Sequence, residues 1–250
     1  LNTYSIECKT NPVKGCETPE YWKQGIGNIS RILEPLTDAT FNQAIIDVLA
    51  LDPIQGQYEV MPYGAIHEWD VSKVTDMSNA FDGRSSFNGD ISNWNVSNVT
   101  NMRFMFFNAS SFTSDLSSWD VSKTTDVSAM FANASSFTSD LSMWNVSSVT
   151  DMSWMFQRAT LFTSDLSSWD VVTVANMQYM FYVASSFISD LSAWDVSNVT
   201  NMQYMFYDAA SFNQDLSSWN VNPNVISCYE FDVLAPSWVL PKPNFTSCTI

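Results

Sequence analysis

The chain has 250 residues, of which 46% are hydrophobic and 14% charged, and a formal net charge of -16 at pH 7. Such an acidic chain repels backbone phosphates and anionic headgroups, which excludes nucleic-acid and anionic-membrane partners, and no apolar run is long enough to predict membrane insertion. It has no Gly-rich phosphate loop, zinc motif or nucleophile signature, and His67 is the single histidine, so neither catalysis nor a cofactor is expected.

Residues 1–65 read as an N-terminal helical cap. The segments Pro19 to Leu36 and Thr37 to Leu51 are predicted as short helices, the second with Ile45, Ile46, Val48 and Leu49 bunched for burial. Cys8 and Cys16 lie in this flank, Cys228 and Cys248 in the other, and none between. An even number confined to two caps predicts two local disulfides, Cys8–Cys16 and Cys228–Cys248, and an oxidising compartment.

From residue 66 to 232 the chain repeats itself. Trp69, Trp94, Trp119, Trp144, Trp169, Trp194 and Trp219 fall 25 residues apart, the mark of a solenoid whose coils bury their apolar faces only by stacking. The consensus is Leu-Ser-x-Trp-Asp/Asn-Val-Ser-x-Val-Thr-Asp/Asn-Met-x-x-Met-Phe-x-x-Ala-Ser-Ser-Phe-x-x-Asp. In Leu116-x-x-Trp119-x-Val121 the last two apolar residues alternate with polar ones, which predicts a strand pairing with its copies in a parallel sheet. In Met177-x-x-Met180-Phe181 the i, i+3, i+4 spacing predicts a short helix, with Asn176 and Thr200 as caps of such segments. The expected fold is therefore α/β: a leucine-rich-repeat-like solenoid of about seven 25-residue coils, sheet on one face and short helices on the other, between disulfide-bonded caps.

The repeat motif resembles the 25-residue repeats of BspA-like leucine-rich-repeat surface proteins, which also occur in mycoplasma surface lipoproteins. The resemblance implies an extracellular or cell-surface module linked to adhesion, and no catalytic residues.

Near residue 223 the repeat ends. Pro223 inserts one residue, after which Val225, Cys228 and Phe231 take the places of Val, Met and Met, and residues 233–250 form a C-terminal cap. Sequons for N-glycosylation at Asn28, Asn95, Asn98, Asn108, Asn133, Asn145, Asn198 and Asn244 agree with an extracellular setting. The start at Leu1 without Met fits removal of a signal peptide.

Three columns of the repeat offer chemistry. The first is the acidic ladder Asp90, Asp115, Asp140, Asp165, Asp190 and Asp215; its residues either cap backbone amides in tight turns or hold a row of calcium ions. The second, Asp70, Asn95, Asp120, Asn145, Asp170, Asp195 and Asn220, is expected to make a polar sheet face. It either binds a partner or stays solvated. The third fills free positions of the predicted helices with Phe104, Phe107, Trp154, Tyr179, Tyr182, Tyr204 and Tyr207; exposed aromatics in a cluster mark contact with protein or sugar, and the alternative is rings packed along the coil. The expected function is a secreted, rigid interaction module for other extracellular proteins or for self-association, and the alternative a ligand-binding module for glycans or calcium.

Overall fold

The computed structural model describes residues 34–57, 63–225 and 227–246. The chain divides into two compact units, Leu1–Ile32 and Leu33–Ile250, and only the second contains described residues. The predicted helix Pro19 to Leu36 therefore lies almost wholly outside the described residues, as do Cys8, Cys16, Cys248 and Asn28.

The first element is helix α1, Asp38–Leu51. Thr37 precedes it in an extended conformation and donates its N–H to the Thr40 hydroxyl oxygen at 3.0 Å, closing the first turn. Phe41, Ala44, Ile45, Val48 and Leu49 are buried, while Ile46, expected among them, is half-exposed. One 3-10 turn, Ile66–Glu68, leads into the repeats.

Beyond it, the expected α/β architecture is not what the chain adopts. Among the described residues there is no sheet and α1 is the only α-helix. Each coil meets the next at a single isolated parallel bridge, in the series Asp76, Asn101, Asp126, Asp151, Asn176, Asn201 and Ser227. The segment read as a strand is broken by two turns, one closed by Trp119 N–H on the Leu116 carbonyl and one by Thr124 N–H on Val121. Between them the Asp115 and Asp120 carboxylates take the N–H groups of Ser117 and Ser122. Donors claimed by side chains this way cannot form a ladder, so the alternation of Trp and Val buries one face without pairing.

The segment read as a helix fails for the complementary reason. Two residues per coil, four apart, have left-handed backbones: Phe104 and Asn108 at φ 56° and 59°, Tyr179 and Val183 at 57° and 56°. Each interrupts a right-handed helix. The N–H groups then alternate in destination. Met77, Asn79, Phe81 and Gly83 donate to the carbonyls of Asn101, Arg103, Met105 and Phe107 in the next coil at 2.8–2.9 Å. Ala80 and Asp82 donate within the coil, to Met77 and Asn79. The stacked coils thus satisfy their backbones with neither helix nor sheet. Asn176 and Thr200 cap no helix: Asn176 accepts the Gln178 N–H, and Thr200 donates its hydroxyl to the Ala175 carbonyl of the coil before.

The core is a lattice of rings. Phe81, Phe106, Phe131, Phe156, Phe181 and Phe206 stack from coil to coil at 5.3–5.8 Å, and a second row beginning at Phe87 and Phe112 runs beside it at 5.9–6.1 Å. Within each coil the two rows touch at 3.9–4.3 Å. Every such ring is fully buried, each contributing about 1.5–3 kcal/mol. The repeated tryptophans join neighbouring coils. Trp94, Trp119, Trp144, Trp169, Trp194 and Trp219 donate their indole N–H at 2.8–3.2 Å to the carbonyl of the Ile or Leu column one coil earlier.

The two ends are closed differently. At the first coil Phe41 of α1 lies edge-on to Trp69 and Trp94. At the last, Val225, Cys228 and Phe231 are buried as the register requires, but Phe231 turns edge-on to Phe206, at 76°. Trp238 covers the exposed ends of both rows, edge-on to Phe206 and Phe212, and donates its N–H to the Gln214 carbonyl. Cys228 is disulfide-bonded, and the other three cysteines lie outside the described residues.

Candidate functional site

The outer aromatic residues sit where the backbone is least ordinary. Phe104, Trp154, Tyr179 and Tyr204 all occupy the first left-handed position of their coils, at φ 56–63°, and Phe107, Tyr182 and Tyr207 follow three residues later. All seven are half-buried. Equivalent residues on consecutive coils are held one above another by the inter-coil hydrogen bonds, so rings at the same position stack.

Two rows result. Trp154 stacks on Tyr179 at 4.3 Å and Tyr179 on Tyr204 at 4.6 Å; Tyr182 stacks on Tyr207 at 5.0 Å. The rows touch through Tyr179–Tyr182 and Tyr204–Tyr207 at 5.5 and 5.7 Å. Tyr229, absent from the sequence-based set, extends them: it is 54% exposed and lies edge-on to Tyr204 at 5.5 Å. A fixed 25-residue count from Tyr204 lands on Tyr229, but the insertion at Pro223 moves it into the column of Gln203, and Glu230, at φ 49°, takes the left-handed position. Burial, followed by the neighbouring phenols, raises the pKa of Tyr179; Tyr204 is raised by desolvation and then Glu230, and Tyr229 by its hydrogen bond to Glu230. These phenols are neutral near pH 7 and offer hydroxyl donors beside a broad apolar surface.

Phe104 and Phe107 form a separate pair, edge-on at 5.2 Å. Among the described residues no ring contact links them to Trp154, because the coil between holds Ala129 and Ala132. A groove of about 340 Å3 lies between this pair and Trp154.

The two polar columns are turn residues. In the acidic ladder each carboxylate accepts the N–H two residues on, as in Asp90–Ser92 and Asp215–Ser217 at 3.0 Å, and Asp140–Ser142, Asp165–Ser167 and Asp190–Ser192 at 2.9 Å. Some also tie adjacent coils: Ser139 takes the Leu116 N–H on its hydroxyl and donates that hydroxyl to Asp115, and Ser164 and Ser189 do the same for Leu141 with Asp140 and for Leu166 with Asp165. Backbone and side-chain bonds from the serines hold these carboxyls below the ordinary value. Among the described residues no group of three or more His, Cys, Asp or Glu is placed to hold a metal ion. The column expected to face a sheet, Asp70 to Asp195, makes equivalent turns with Ser72, Ser97, Ser122, Ser147, Val172 and Ser197, and Asn220 is exposed. With no sheet behind it, this column is a row of exposed turns.

The sequons differ in what their amides do. Asn98, Asn133 and Asn198 donate their side-chain N–H to Ser72, Asn108 and Val172 on the preceding coil, whereas Asn95 and Asn145 use only their oxygens, as acceptors. Asn244 is exposed.

A protein family described as "Mycoplasma protein of unknown function, DUF285" matches residues 55–158 and 137–232, which is the repeat region. No curated protein and no solved structure matches the chain.

Proposed function

The chain belongs to this family of repeat proteins of unknown function, and from its surface geometry we propose that it is a secreted or cell-surface structural module, without catalytic activity, that holds protein partners or further copies of itself through its tyrosine rows. The observation that carries this reading is the two-row stack of Tyr179, Tyr204, Tyr182 and Tyr207, continued by Trp154 and Tyr229. Rows of neutral phenols on a rigid backbone give contact area at small entropic cost, and Tyr and Trp are the residues most enriched at binding hot spots. Rigidity comes from the ring lattice and the indole bonds beneath them.

The extracellular setting is supported by the resemblance to BspA-like surface repeats, by the sequons, and by the disulfide at Cys228, which suits pairing with Cys248 in the C-terminal cap, with Cys8–Cys16 at the other end. A second reading, ligand binding, is favoured only at the groove beside Ala129.

The test is the variant Tyr179→Ser, Tyr182→Ser, Tyr204→Ser, Tyr207→Ser, compared with the natural chain by sedimentation across a concentration series and by crosslinking to neighbours on the source cell's surface. Loss of self-association or of a crosslinked neighbour is expected, with the thermal melt retained. Unchanged association and unchanged crosslinks would reduce the tyrosines to packing.

A further inference from the structure

The first outer aromatic row runs Phe104, Ala129, Trp154, Tyr179, Tyr204. Every member but Ala129 is a ring, and Ala129 shares their left-handed backbone at φ 54°. An alanine gains nothing from that conformation. At Ala129 the row is interrupted, and Phe104 and Trp154 line one groove together with Ala129, which is itself buried. Three residues on, where Phe107 and Tyr182 stand in other coils, Ala132 is small and fully buried.

We propose that this groove is a binding site for one pyranose ring of a neutral saccharide, seated between Phe104 and Trp154. At about 340 Å3 the groove is at the small end of ligand pockets, roughly 300–1,000 Å3, which suits one or two sugar rings. The C–H faces of a pyranose are apolar with slightly positive hydrogens and stack on negative π faces. Its hydroxyls leave the edge of the ring and each needs a donor and an acceptor.

The rim of the groove supplies both. Arg103 lies over the Phe104 ring at 4.9 Å and lines the groove. Gln178 has its oxygen occupied by Asn201 and Gln203 at 3.0 and 2.8 Å, leaving its amide N–H donors without a partner among the described residues. Asp151 supplies carboxylate oxygens, held by the Ser153 N–H at 2.8 Å and the Asn176 amide at 3.3 Å. An aromatic side chain from a protein would fill the groove but use little of this polar rim. An acidic sugar would meet Asp151 beside Arg103 in a chain of net charge -16, so the neutral sugar is the better match.

The test uses saturation-transfer NMR with cellotetraose, xylotetraose, mannotetraose and laminaritetraose on the full chain, its Ala129→Tyr variant and its Phe104→Ser variant. Ala129→Tyr completes the row with a residue that the same backbone already carries at Tyr179 and Tyr204, so its melt is retained while binding falls by about tenfold or more. Phe104→Ser, which removes a wall, loses binding too. A Tyr182→Ser, Tyr207→Ser control keeps it, so the groove and the tyrosine rows fail independently. Absence of binding by all four saccharides, binding that survives Ala129→Tyr, or capture of N-acetyltryptophanamide in preference to every saccharide would each overturn the proposal.

Discussion

The carboxylate of Asp38 does for Thr75 what a whole preceding coil would do. Further along, the Thr75 carbonyl accepts the N–H of Thr100 at 2.8 Å, the N–H of Asn101 at 3.4 Å and the Thr100 hydroxyl at 3.2 Å. At the open end, Asp38 accepts the N–H of Thr75 at 2.7 Å and of Asp76 at 3.1 Å on one oxygen, and the Thr75 hydroxyl at 2.7 Å on the other. A side chain at the start of α1 thus stands in for the missing backbone carbonyl.

Replacing Asp38 with Ala is expected to cost about 1–2 kcal/mol, since exposed amides can turn to water, and to raise hydrogen exchange first at Thr75 and Asp76. Desolvation opposes the charge on Asp38, but the bonds from Thr75 and Asp76 outweigh it and the carboxyl lies below its ordinary value of 3.8. Asp38→Asn, which retains one acceptor oxygen, should fall between the two.

Acid should loosen the coils together. Asp38, Asp115, Asp140 and Asp165 all have lowered pKa values in the folded chain, so near pH 4 and below the unfolded chain binds more protons. The stability they contribute is complete above the unfolded value and is lost as pH falls through the folded ones. Thermal melts from pH 6 to pH 2 should drop below about pH 4. Changing Asp115, Asp140 and Asp165 to Asn should flatten that drop with little loss at pH 7, because Asn95 and Asn145 make the same turn.

Val183 carries a β-branched side chain at φ 56°, where other coils have Gly83, Asn108 and Asn133. Val183→Asn, produced without glycosylation, is expected to raise stability by about 1 kcal/mol, read as an increase in Tm.

Trp144 is buried and donates to Leu116 at 3.0 Å. Trp144→Phe removes one of the two donors on that carbonyl, the Trp119 N–H remaining, and leaves a void behind the smaller ring, an expected loss of about 1–3 kcal/mol by denaturant titration. Met143→Ser, next to it but 85% exposed, should change stability by less than about 0.5 kcal/mol.

In a glycosylating secretory host, Asn95 and Asn145 are expected to carry more glycan than Asn98 and Asn198, whose amide N–H groups are held by neighbouring coils at 2.8–2.9 Å. Glycopeptide mass spectrometry reads the occupancy at each.

The period, the buried columns and the helix at α1 were all legible in the residues themselves, because burial of Trp, Met and Phe at fixed spacing depends on side-chain chemistry that each coil repeats. The route of the backbone was not. The spacing of Met177, Met180 and Phe181 is that of a helix, and only the neighbouring coil, by taking alternate N–H groups, makes left-handed turns at Tyr179 and Val183 affordable. In the same way the Trp119–Val121 alternation resembles a strand, yet the Asp115 and Asp120 turns withdraw the donors a sheet would need. Tertiary structure likewise decided the candidate site. The sequence placed seven aromatics on one side, whereas stacking joined some into rows, added Tyr229, and set Phe104 and Trp154 on either side of one groove, a feature that exists only once the coils lie on one another.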